Sequence, residues 1–153
     1  MLLGQSVGEV FYPKITRAIS NRTGSAFILI SKAALVLFSV GAIPFGFIAL
    51  FGDVFLPLAF GNEWKVAGQY SQWVSLWMIA MLAVQPAVAA MPALKMQSIL
   101  LLYEVMITFG RVGALYIGNW NNSDILAIAL FSIINAIGYS CLLLFVIIIY
   151  KSS

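Results

Sequence analysis

The chain has 153 residues, of which 63% are hydrophobic and 8% charged, with a formal net charge of +3. A soluble domain carries roughly 25% charged residues, so this composition excludes a water-soluble globular protein and describes a polytopic membrane protein. No histidine is present, the one cysteine (Cys141) lies in an apolar run, and the basic residues form no patch. His-based catalysis, a disulfide framework and nucleic-acid binding are therefore excluded.

Taken in order, Met1–Tyr12 is too short to span a bilayer, and Met1–Gln5 is too short and uncharged for a secretory signal peptide. FYPKITRAISNRTGS follows, the most basic part of the chain, with Lys14, Arg17 and Arg22. The first complete span is expected over 26–51, with Lys32 about two turns in and Gly41, Pro44 and Gly46 inviting a kink. Ala33–Phe51 contains no charge across nineteen residues.

Phe51–Trp73 (FGDVFLPLAFGNEWKVAGQYSQW) gathers two Gly-bounded turns, three charges and a proline between apolar runs. It reads as a water-exposed re-entry, where one helix leaves the bilayer and the next returns. Its aromatics are placed as in an interfacial belt. The second span is expected over 67–94, inside the twenty-nine uncharged residues Val66–Leu94. Ser71, Ser75, Met78, Leu82 and Gln85 make a mildly polar face on it, and Pro86 and Pro92 bend or end its last turns. A third span over 97–118 holds Glu104 and Arg111, and a fourth over 125–150 carries Ser132, Asn135 and Tyr139 on one face. The fold class is thus all-α and membrane-integral, with four complete helices and the end of a preceding one.

Lys and Arg accumulate on one side of this topology. With the basic amino-terminal segment inside, Lys95 and Lys151 also fall inside, Lys32 lies near that face, and Lys65 alone is outside. That is the positive-inside pattern, with both chain ends cytoplasmic.

The spacing FG-x-x-x-LPL-x-FG-x-EW-x-x-AG-x-Y carries a resemblance. It comprises Phe51, Gly52, Leu56, Pro57, Leu58, Phe60, Gly61, Glu63, Trp64, Ala67, Gly68 and Tyr70. It is similar to the segment between two late helices of the bacterial lipid-linked oligosaccharide flippases, in the multidrug and polysaccharide exporter superfamily. FYPK-x-x-RA resembles the cytoplasmic exit of a preceding helix in that family. The resemblance covers about Gly4 to Arg111. It implies the carboxy-terminal portion of a transporter with two six-helix bundles in the bacterial inner membrane. Such a protein passes an undecaprenyl-pyrophosphate-linked oligosaccharide between leaflets for O-antigen, capsule or exopolysaccharide synthesis. Four spans depart from that pattern, so the implied protein is a fragment, a truncated product or one half of a split transporter. Its implied partners are the lipid-linked oligosaccharide, the phospholipid bilayer, an amino-terminal half, and glycosyltransferases or a polymerase of the same pathway. No cofactor is implied.

No residues are arranged for catalysis, and the chain reads as a non-enzyme. The informative groups are those inside the bilayer, where a charge near the centre costs about 2.5–3.5 kcal/mol on insertion scales. Glu104 and Arg111 are two turns apart on one helix face, about 10 Å along the axis, which is long for a direct bond. Arg111 reads as a phosphate contact in a cavity, as a member of an ion pair, or as a snorkelling side chain. Glu104 reads as a coupling-ion or proton site, or as helix-packing glue. Lys32 reads as a snorkelling residue or a cavity cation, and the Ser132/Asn135/Tyr139 stripe as inter-helix hydrogen bonding or sugar contact. With Gln85, these residues are the candidate lining of a substrate cavity. Trp64, Trp73, Trp77 and Trp120 read as interfacial anchors. Two other readings share these features: a multidrug cation antiporter of the same superfamily, and a non-transporting subunit of a glycan-synthesis complex.

Overall fold

The computed structural model describes residues 25–92 and 96–152. The exit motif with Lys14, Arg17 and Arg22, and also Lys95, lie outside the described residues. The order is α1 (Ser25–Phe60), a 3-10 turn (Asn62–Trp64), α2 (Lys65–Ala90), α3 (Gln97–Trp120) and α4 (Asp124–Ser152). All four helices are long and apolar enough to cross a membrane. The third and fourth expected spans agree with α3 and α4 to within two residues at either end.

The re-entry segment is different. Helix α1 does not end at Phe51 but runs unbroken for 36 residues, with Pro44 and Pro57 inside it. A proline removes one N–H, and a membrane helix tolerates the loss where neighbouring groups compensate. The stop comes at Gly61, whose φ of 105° belongs to the region glycine occupies freely. Its N–H donates to the Pro57 carbonyl at 2.8 Å, closing the last turn of α1. The connection is therefore one tight turn, and the first motif glycine has another task.

Gly52 and Gly68 face each other across α1 and α2. A Cβ on Gly52 would lie 2.9 Å from the Gly68 carbonyl oxygen, and one on Gly68 would meet the Gly52 carbonyl. Small residues let membrane helices approach backbone to backbone. At this crossing the Gln72 side-chain amide donates to Asp53 Oδ1 at 3.0 Å. The Ser71 and Ser75 hydroxyls donate to the carbonyls of Gly68 (2.7 Å) and Ser71 (2.6 Å) in their own helix. The polar face expected on α2 is therefore largely satisfied internally. Pro86 is buried within α2, which continues to Ala90; Pro92 falls just beyond its end.

Helix α1 packs on α2, α2 on α4, and α4 on α3, with α1 touching α4 lightly. The arrangement is an open row with α3 at one edge. A shared core of Ile30, Val84, Ala87, Ala90, Met91, Leu142 and Val146 joins α1, α2 and α4, and Leu100 and Tyr103 of α3 pack against it. At the opposite end, Gly118 lies against Ala127, so the α3–α4 turn is short and tight. The α1–α2 hairpin continues past it. Trp77 packs beside Phe131, so nine residues (two and a half turns) back along these parallel helices Gly68 is level with Asn122. Residues 53–67 stand beyond that level.

Candidate functional site

Helices α3 and α4 meet along small residues. A Cβ on Gly138 would lie 2.6 Å from the Tyr103 hydroxyl and would collide with Ile107, and one on Gly110 would lie 3.2 Å from Ile134. Glu104 and Arg111 follow the seam residues Tyr103 and Gly110 by one position, and Asn135 and Tyr139 follow Ile134 and Gly138. A step of one residue rotates each about 100° off the contact line, so the four polar residues flank the seam together.

The structure joins them. Arg111 donates Nε–H to Asn135 Oδ1 at 2.8 Å and Nη2–H to Tyr139 Oη at 2.9 Å. Its Nη1 lies 3.5 Å from Glu104 Oε2, with side chains 20% and 40% exposed respectively. The axial spacing of about 10 Å, long for a direct bond, is thus closed by two long side chains, and the ion-pair reading of Arg111 is the one the geometry meets. Asn135 is fully buried and donates Nδ2–H to the Phe131 carbonyl at 2.7 Å, which fixes its oxygen toward Arg111. The guanidinium carbon is 5.8 Å from the Tyr139 ring centroid. With Nη2 already 2.9 Å from the hydroxyl, the contact is a hydrogen bond at the ring's polar edge. Among the described residues, one N–H on each of Nη1 and Nη2 has no partner, because a guanidinium carries five.

The depth of the cluster follows from the helix registers. Lys32 and Asp53, the two charges of α1, are 21 residues apart. That is about 31 Å of helix, matching a hydrocarbon core of ~30 Å. Arg111 is level with Asn135 through their hydrogen bond. Asn135 is one turn past Phe131, which packs on Trp77; one turn past Trp77 is Met81, beside Leu82, which meets Gly41. Gly41 lies roughly 14 Å from Lys32 and roughly 18 Å from Asp53 along α1. Arg111 is therefore near mid-depth.

The other candidates are elsewhere. Lys32 is exposed on α1 at the boundary level, and Gln85 is partly buried on α2; neither joins the cluster. Ser132 is fully buried beside it, but its hydroxyl has no hydrogen-bond partner among the described residues, so it does not act as inter-helix glue. Trp64 and Trp120 are exposed at helix ends. Trp77 is not an anchor of that kind: its ring packs on Phe131 at 5.5 Å in mid-helix, and its buried N–H has no partner among the described residues. In the motif segment, Phe51 and Phe60 are exposed on α1, Glu63 and Trp64 lie in the exposed turn, and Ala67 is half-buried. The Gly52–Gly68 contact with Asp53–Gln72 was not foreseen; its signal is the placement of the two glycines on either side of Gly61. No family model, curated protein or solved structure matches the chain.

Proposed function

We propose that this chain is the carboxy-terminal part of an inner-membrane transporter that moves undecaprenyl-pyrophosphate-linked oligosaccharide for surface polysaccharide synthesis. Its helices would form part of a bundle of the multidrug and polysaccharide exporter type. The observation that carries the reading is Arg111 of α3 at mid-depth, held by Asn135 and Tyr139 of α4 with two N–H groups unfilled among the described residues. Transporter substrate sites lie near the bilayer midplane, and a guanidinium fork fits phosphate oxygens. The motif around Gly61 supplies the family. The row of helices is open, with α3 at one edge; an amino-terminal bundle would complete it, and glycosyltransferases or a polymerase are further expected neighbours.

The orientation has a direct test. Cysteines at Asn62 and Asn121, in the two turns at one end of the row, are expected to label from the periplasm, and one at Ser20 is not. External labelling of Ser20 would reverse the topology.

Transport is tested by co-expressing the chain with an amino-terminal bundle in a flippase-deficient strain, which is expected to restore surface polysaccharide where the chain alone does not. In that background Arg111→Lys, at matched membrane levels, is expected to lower polysaccharide roughly ten-fold, because an ammonium lacks the fork. Undiminished polysaccharide with Arg111→Lys would remove the phosphate contact.

A further inference from the structure

We propose that the Gly61 half of the α1–α2 hairpin is a lever that swings against the α3–α4 hairpin about a paired-proline hinge near mid-depth. The inference goes beyond the transport reading and does not depend on what the chain carries.

The hinge is a coincidence of level on two helices. Pro44 has no N–H for the Val40 carbonyl, and Pro86 has none for the Leu82 carbonyl. Val40 adjoins Gly41, and a Cβ on Gly41 would lie 2.7 Å from Leu82 Cδ1. The two missing hydrogen bonds therefore fall at one level, where α1 and α2 touch. A helix bends where its hydrogen-bond ladder is interrupted. Interruptions at one level let both helices bend together, whereas staggered ones would oppose each other.

The packing changes at the same level. On the Ser25 side, Ile30, Val84, Ala87 and Met91 are buried in the core shared with Leu142 and Val146 of α4. On the Gly61 side, the buried residues of α1 and α2 are Gly52, Gly68 and Ser75. Gly52 and Gly68 lie against each other, and the Gln72 bond to Asp53 also joins α1 to α2. This half of the hairpin is thus tied to itself. Among the described residues, no hydrogen bond ties it to α3 or α4. Its aromatic contact with α4 is Trp77 on Phe131 at 5.5 Å, and the indole N–H takes no partner there. The α3–α4 hairpin is locked separately, by Arg111 on Asn135 and Tyr139 and by Gly118 on Ala127. Two internally tied hairpins are therefore joined firmly at one end and held at the other by an apolar latch. Such an arrangement supports hinge bending about a few residues.

The test uses the full chain with Cys141→Ser, in phosphatidylcholine vesicles, carrying two spin labels on introduced cysteines. Val54 of α1 and Tyr116 of α3, both exposed, report the Gly61 half. Ile28 and Leu101, exposed on the same two helices, report the other half. The distance distribution of the first pair is expected to be at least about two-fold broader than that of the second. Pro44→Ala with Pro86→Ala supplies both missing N–H groups and is expected to remove the excess width, and either change alone to remove part of it. Pro57→Ala, beyond the Val54 label, is expected to leave the width unchanged. Trp77→Ala releases the latch and is expected to shift the first pair toward longer distances. Equal widths in the two pairs would overturn the lever. Excess width that survives the double proline change would overturn the hinge, as would the same narrowing from Pro57→Ala. An unmoved distribution in Trp77→Ala would overturn the latch.

Discussion

Gly68→Leu is expected to be the most damaging single change in the chain. Any side chain there points at the Gly52 carbonyl and the Asp53 Cα, which is 2.9 Å from the position of a Cβ. Backbone cannot yield as the tip of a flexible side chain does, so α1 and α2 must separate. Overpacking in a closed interface costs about 1–3 kcal/mol. Here the separation also breaks the 3.0 Å bond from Gln72 to Asp53. Gly68→Ala is expected to show a smaller loss in the same direction. Gly46 and Gly113 have nothing within 4 Å of a built Cβ and serve as internal controls. The measurement is the thermal midpoint and the yield of folded chain in detergent. Gly68→Leu behaving like Gly46→Leu would show that the two helices do not depend on this crossing.

The second large effect is expected from Arg111→Leu. It strands the Glu104 carboxylate near mid-depth, at about 2.5–3.5 kcal/mol, and deprives Asn135 and Tyr139 of their partner at about 1 kcal/mol each. Membrane abundance should fall sharply. Adding Glu104→Leu removes the stranded charge and should recover most of the abundance, because polar contacts between membrane helices average only ~0.6 kcal/mol. Equal losses in the single and double variants would mean that the pair does not form. Exchanging the two charges is a harsher test than their spacing suggests. Tyr139 could donate to a carboxylate at position 111, but the Asn135 oxygen would oppose it, and turning that amide gives up its bond to Phe131.

Much of this architecture was legible in the sequence, for identifiable reasons. The end of α3 and the start of α4 follow from the polar stretch Asn119–Asp124, the length of α4 from the uncharged run between Asp124 and Lys151, and the polar positions of α4 from helical spacing. The end of α1 was not legible, because Gly52 and Pro57 carry the usual marks of a break. A glycine that permits a close approach and a glycine that turns the chain look alike until the opposite helix is known. The same holds for Glu104 and Arg111. Their axial separation can be read from the sequence, but side-chain reach and the pull of Asn135 and Tyr139 from a second helix cannot. Trp77 was misplaced because its residue type suggests an interface, whereas Phe131 gives it an apolar neighbour in mid-helix.

The α1–α2 hairpin standing beyond the α3–α4 turn has a bearing on the bilayer around the protein. Phe55, Leu58, Phe60, Trp64 and Val66 are exposed on that projection, which rises roughly 12 Å past Asp53. On this flank the molecule presents more apolar length than a hydrocarbon core of ~30 Å accommodates. On the α3–α4 flank it presents no such excess. Mismatch of this kind costs fractions of a kcal/mol per Å and is relieved by tilting or by thickening the adjoining lipid. The leaflet at this end is therefore drawn thick beside one hairpin and left unthickened beside the other, and the unthickened flank is the one that carries Arg111.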